Sequence, residues 1–328
     1  MATVRRKRKA KLTWQGKLVV GFSVFLIVLS VLTVIVILAL NSKILQDGNG
    51  IGNQYATPSS IKDKVTTFLI VGIADDENER ESTKLTDTIM LATIDFPNKR
   101  ASVLQIPRDT YVGDTTPTGK INAIYNRTEK WEYHGLDGLT RMIHEMFQIN
   151  IDHYVTLKMD GFENIIDSIG GVPMNVPVDM ELNGTMVRAG QQTLNGEQAI
   201  AVVRTRNVYQ NGDLGRIETQ RAFLSAFASK CLSLSSSEMI KLIPKCFGSV
   251  NTDLTAMDAI EYYKAVNGME MSNITMMSVP GIGSNNGDQS VFSVYPRQTA
   301  EILNQHFRPY SNPVPFEQLR IRTVVKEP

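Results

Sequence analysis

Histidine and cysteine are scarce in this chain. His134, His144, His153 and His306 stand at no ligand spacing, and Cys231 and Cys246 are the two cysteines, so a zinc site has no support. There is no Ser-His-Asp or Cys-His set to point to nucleophilic catalysis. Internal repeats are absent as well. An excess of positive charge is also missing. Of the 34 Lys and Arg, seven (Arg5, Arg6, Lys7, Arg8, Lys9, Lys11 and Lys17) lie in the first seventeen residues, which leaves 27 against 33 Asp and Glu. The remainder is mildly acidic, which argues against nucleic acid as a partner.

What the N-terminus does have is a contrast. The basic tail, without one acidic residue, runs into an uncharged apolar stretch from Leu18 to Leu40. At 1.5 Å per residue this stretch covers the hydrocarbon core of a bilayer. Ala39-Leu40-Asn41-Ser42 is a poor cleavage site, and the stretch is longer than a signal-peptide apolar region, so the reading is an uncleaved anchor. Positive residues stay on the cytoplasmic side. The expected plan is a cytoplasmic tail over 1–17, a transmembrane helix over 18–40, an extracellular linker over 41–63, a catalytic domain over 64–310 and a C-terminal tail over 311–328. Outside the membrane a disulfide between Cys231 and Cys246 is allowed, although spacing alone does not fix the distance between their Cα atoms.

From Val65 onward short apolar runs alternate with helical periodicity. Strands are expected at Thr67 to Ile73, Thr88 to Ile94, Ala101 to Ile106, Tyr154 to Leu157, Met174 to Val178 and Ala199 to Val203. Helices are expected at Leu136 to Phe147, Gly161 to Ile169, Leu214 to Leu232, Ser237 to Phe247 and Ala256 to Val266. This alternation predicts a layered α/β domain, and the hairpin spacing of the early strands predicts a mixed sheet. The proline-bearing tail beyond about Gln305 is expected on the surface or loosely held.

The polar residues gather in blocks. Arg204 and Arg206 close the run Ala199 to Val203, and Asp213, Arg216 and Gln220 follow. In an extended segment positions two apart share a side, and on a helix Asp213, Arg216 and Gln220 share a face, so the set reads as a polyanion site. Upstream, Asp75 ends the first strand and Asp87 opens the second. Two carboxylates on adjoining loops are the donors that Mg²⁺ takes alongside phosphates and water. Arg108 in Pro107-Arg108-Asp109-Thr110 stands at the end of the third strand, where open α/β sheets present ligand-binding groups. Lys120 in Gly119-Lys120-Ile121-Asn122 enters a helix or turn, as a phosphate-facing or a solvated lysine.

In order, Pro107 to Thr110, Lys120 to Ala123, Gly161-Phe162 with Ile166 to Val172, Leu194 to Ala199, Arg204-Thr205-Arg206 and Asp213 to Arg216 resemble the LytR-CpsA-Psr family over about Val65 to Leu232. The resemblance implies an αβα sandwich outside the membrane that holds a polyprenyl diphosphate lipid and transfers a phosphate-linked glycopolymer (teichoic acid, capsule or secondary wall polysaccharide) to peptidoglycan. It assigns Asp75 and Asp87 to a magnesium site and Arg108, Arg204, Arg206, Arg216 and Gln220 to the diphosphate, with Asp213 orienting the arginines; Lys120, read as phosphate-facing, is counted with the diphosphate set. Arg108, Arg204, Arg206 and Asp213 are the implied catalytic set. Three positions depart from the pattern. Ala74 stands where the family commonly has Asp, so either Asp75 or Asp76 takes over or the metal is held differently, and Leu85 and Thr219 replace arginines. A non-catalytic carrier-binding protein and a lipid diphosphate hydrolase are the competing readings.

Overall fold

In the computed structural model, nine residues from Val65 to Ile73 form strand β1, buried along nearly its whole length. The structure describes residues 55–73, 85–127, 130–205, 208, 219, 222–223, 226–227, 229–231, 233–266 and 268–328. Burial on both faces is what makes this segment a continuous apolar run rather than an alternating one. Its odd positions Leu69, Val71 and Ile73 enter one core and its even positions Phe68 and Ile70 another. The period of two thus hands successive side chains to opposite layers.

Strands β2 (Thr86–Asp95) and β3 (Arg100–Ile106) continue from β1 as an antiparallel meander. Helix α1 (Gly135–Phe147) then leads to β4 (His153–Leu157), which pairs parallel to β1. Helix α2 (Met159–Ser168) follows, then two hairpins, one nested within the other. Strand β5 (Val172–Val176) pairs with β8 (Gly190–Leu194), and β6 (Met180–Leu182) with β7 (Thr185–Val187). Helices α3 (Gly196–Arg204) and α4 (Ser236–Phe247), strand β9 (Val250–Thr252), helix α5 (Ala256–Val266) and strand β10 (Ile274–Ser278) come next. A hairpin of β11 (Gly281–Asn286) and β12 (Gln289–Val294) precedes the last helix, α6 (Pro296–His306).

The central sheet has the order β10-β3-β2-β1-β4-β9. With β4 parallel to β1, β10 parallel to β3 and the other pairs antiparallel, the sheet is mixed, as expected. Residues of α2 and α3 lie in one core, and those of α1 and α6 in the other, so helices cover both faces. Cys231 is buried in the first core, whereas the side chain of Cys246 lies outside the described residues. The expected anchor at 18–40 and most of the helix at 214–232 also lie outside them. Among the described residues no helix is long and apolar enough to cross a membrane.

The run Ala199 to Val203 is a correction: it is helical, not extended. Asn195 accepts from the backbone N–H of Gln198, and Gln198 accepts from that of Asn195, a reciprocal capping box that starts α3. The apolar run is continuous because α3 lies buried among β6, β7, β8 and α2. The strand argument for placing Arg204 and Arg206 on one side therefore fails. Arg204 is the last residue of the helix, and Thr205 leaves it in an extended conformation.

The C-terminal tail lies mostly at the surface, one of the two alternatives expected, but it is tied down rather than loosely held. The Glu327 carboxylate accepts from the N–H groups of Arg297 and Gln298 at 2.7 and 3.0 Å, capping the open start of α6. Ser293 Oγ accepts from Val324 and Val325, each at 3.0 Å. Arg308, 7% exposed, donates to the carbonyls of Phe147 and Gln148 at the end of α1. Burial lowers its pKa to about 10. The neighbouring cavity of about 140 Å³, between Thr57, Asn150 and Arg308, lies at the start of β1. That guanidinium acts as a helix cap.

Candidate functional site

The strand directions decide where a ligand would meet the chain. β1, β3, β4 and β10 all run the same way, so their C-terminal ends gather at one end of the sheet. Binding groups of α/β sheets collect at such an end. Arg108 stands two residues beyond β3, and Lys158 directly follows β4. The segment after Arg108 folds back on itself. Ile121 N–H donates to Thr110 O at 2.9 Å and Asn122 N–H to Arg108 O at 3.2 Å, which brings Lys120 beside the strand exit.

Asp87 reaches the same end through an irregularity in the ladder. Gly72 pairs with Thr88 and Ile73 with Thr86, so β2 carries one extra residue over this step, and that residue is Asp87. A bulge of this kind bends its strand and redirects what it carries. Gly72 makes the close approach possible: an added Cβ would lie 2.9 Å from Thr88 Cβ. Thr86 Oγ1 donates to Asn122 O at 3.3 Å, tying the bulge to the Lys120 turn.

Three of the expected site residues, Arg108, Lys120 and Asp87, are thus brought to one end. Lys120 is not simply presented to a phosphate. Its Nζ lies 2.9 Å from Asp109 Oδ1, so the carboxylate following Arg108 holds the ammonium in place. Sequence reasoning missed Asp109, although it sits inside a motif already singled out. Arg204 is exposed at the last turn of α3. Asp75, Arg206, Asp213, Arg216 and Gln220 lie outside the described residues, as does the Asp87 side chain. Among the described residues no group of three or more His, Cys, Asp or Glu is placed to hold a metal.

A second feature at this end had no sequence signal beyond its aromatic content. Helix α1 is followed within six residues by the start of β4, so its own start, and the loop before it, return toward the C-terminal ends of β1 and β4. Tyr125 in that loop is partly buried, which raises its phenol pKa; hydrogen bonding with Thr156 and the charge of Lys158 partly offset this. The loop's far side is anchored on α1. Arg141 donates through Nε to Glu145 at 2.8 Å and through Nη2 to Glu132 at 3.1 Å, and Tyr133 donates to Glu145 at 2.9 Å.

Burial alone would raise the Glu145 carboxyl, but the hydrogen bonds from Arg141 and Tyr133 outweigh it and hold its pKa below the ordinary value. With the folded value depressed, this contribution to stability is present above the unfolded carboxylate pKa and is lost as pH falls through the folded one. Glu145→Gln is expected to cost on the order of 1 kcal/mol at pH 7 and much less in acid, read by denaturant melts at both pH values.

The comparisons agree with this architecture. A sequence model of the LytR_cpsA_psr family matches residues 36–308. The chain is 31% identical over 242 residues to the Bacillus subtilis (strain 168) protein named polyisoprenyl-teichoic acid--peptidoglycan teichoic acid transferase TagV, across 69% of this chain and 60% of that protein. It therefore spans less than two thirds of that relative's length. It is 33% identical over 224 residues to the Oceanobacillus iheyensis protein bearing the same name with the suffix TagU, across 68% of each. The crystal structure of B. subtilis TagV matches with a TM-score of 0.60 at 28% identity, covering 76% of this chain and 99% of that one.

Proposed function

Since this chain belongs to the LytR_cpsA_psr family, we propose that it transfers a phosphate-linked glycopolymer from a polyprenyl diphosphate carrier to a sugar hydroxyl of peptidoglycan. The observation that carries this reading is the convergence of Arg108, Lys120 and Asp87 at one sheet end, in a chain about a third identical to proteins named as teichoic acid transferases.

Phosphoryl transfer asks a protein mainly for positioning and for charge stabilisation. The acceptor oxygen attacks the phosphorus that carries the polymer, its bond to the bridging oxygen breaks, and the lipid departs as a monophosphate. Arg108 donates its planar fork to the diphosphate oxygens, joined by Arg204, Arg206, Arg216 and Gln220. Lys120, steered by Asp109, adds a point charge. Asp213 orients the arginines. The hydroxyl proton passes to a carboxylate, with Asp75, Asp87 and Asp213 as the candidates.

Asp75 and Asp87 would hold Mg²⁺. Their hard oxygen donors suit that ion, and the placing of Asp87 at a bulge beside the Lys120 turn fits a cation shared with phosphate. Bound there, Mg²⁺ would neutralise charge growing on the departing phosphate. The apolar stretch Leu18 to Leu40 would anchor the chain in the cell membrane, with the tail in the cytoplasm and the α/β domain outside.

The test uses the full chain in detergent with a polyprenyl diphosphate-linked polymer and peptidoglycan. The expected result is Mg²⁺-dependent appearance of polymer on peptidoglycan with release of polyprenyl monophosphate, lost in Arg206→Ala. Polymer released into solution rather than onto peptidoglycan would instead identify a hydrolase. Carrier binding without turnover would identify a non-catalytic protein.

A further inference from the structure

Trp131 is 43% exposed even though one face of its ring is covered by the Arg127 guanidinium, 3.7 Å from the ring centroid. At that separation the cation is stacked on the indole. Among the described residues Arg127 Nε and Nη1 are buried with no hydrogen-bond partner, and burial lowers the pKa of the group. Stacking rather than a described carboxylate holds this arginine in place.

The backbone that carries the ring is held as well. Its backbone carbonyl lies 2.6 Å from His134 Nδ1, and the next two residues, Glu132 and Tyr133, are bound to α1 through Arg141 and Glu145. Arg141 also lies over the Tyr133 ring, 4.8 Å from its centroid. A large aromatic surface is therefore exposed in a locked orientation. The loop that carries it starts at Tyr125, beside Thr156 and Lys158, at the same end of the sheet as Arg108 and Lys120.

We propose that Trp131, backed by Arg127, is a platform on which one pyranose ring of the glycan substrate packs, setting which sugar is aligned with the diphosphate site. This rests on the transfer reading above. The C–H face of a pyranose is its apolar and slightly positive surface, and an indole face is apolar and negative. The neighbouring guanidinium favours a glycan that carries negative charge close to that ring. The platform acts on binding and selection and stands apart from the bond-breaking step.

The chain has only two tryptophans, Trp14 and Trp131, so Trp14→Phe in the full chain leaves a single tryptophan, excited selectively over the tyrosines, at the proposed platform. Soluble peptidoglycan glycan strands and a sugar-bearing poly(glycerol phosphate) are titrated separately. A saturable change in emission with either supports the platform and names the polymer that occupies it; no change with both overturns it. In transfer assays Trp131→Ala is expected to raise KM roughly tenfold for that polymer with kcat within about twofold, and Trp131→Tyr to restore most of the loss. An unchanged KM in an active Trp131→Ala enzyme overturns the proposal. Should the parent chain prove unable to transfer, the fluorescence titration still decides the platform by itself.

Discussion

Replacing Arg108 by Ala lowers transfer by about 10²–10³-fold, the loss met when one preorganised donor to a developing anion is removed. The effect falls mainly on kcat, because the negative charge that the guanidinium answers grows as the bridging bond breaks. Melting is expected to shift by no more than about 0.5 kcal/mol in stability, since Arg108 is an exposed residue beyond the end of β3 and fills no part of the core. Arg108→Lys keeps the charge but gives up the fork, and recovers only a small part of the rate. Full activity in a folded Arg108→Ala protein would remove this residue from the site.

How much of this could be read in the chain varies with the range of the interaction concerned. The meander and α1 were legible because their apolar periods are long and uninterrupted, and Arg108 was legible from its position at a strand exit. The Ala199 to Val203 helix was misread because an all-apolar run of five residues has no period of its own. Its capping box, Asn195 to Gln198, was a local signal that went unused. So was Asn183-Gly184, which turns β6 into β7 with both residues at positive φ. Other features had no local signal. The bulge at Asp87 depends on the register between two strands, and the capping of α6 by Glu327 joins residues thirty apart. The exposure of Trp131 depends on where a loop comes to rest against α1.

Gly196, the first residue of α3, is a sensitive backbone position for a different reason, its close approach to α2. Helix propensity alone favours Ala over Gly by about 1 kcal/mol. Packing has the opposite sign here. A Cβ at residue 196 would lie 2.4 Å from Glu163 O and 2.6 Å from Glu163 Cα, both backbone atoms of α2 that no rotamer change can move. The Gly196 N–H also donates to Asp167 Oδ1 at 2.8 Å, so α3 is pinned to α2 at its first residue. Gly196→Ala must push the two helices apart, at a net cost of about 3 kcal/mol, a fall in Tm of roughly 5–10 °C. The same displacement is carried along α3 to Arg204 at its last turn, so transfer should fall together with stability, unlike in Arg108→Ala. Gly248→Ala is the control: nothing lies within 4 Å of its added Cβ, and a shift under about 0.5 kcal/mol is expected. Equal melting temperatures for the two alanine variants would mean that α2 and α3 are not held as closely as the Gly196 contact requires.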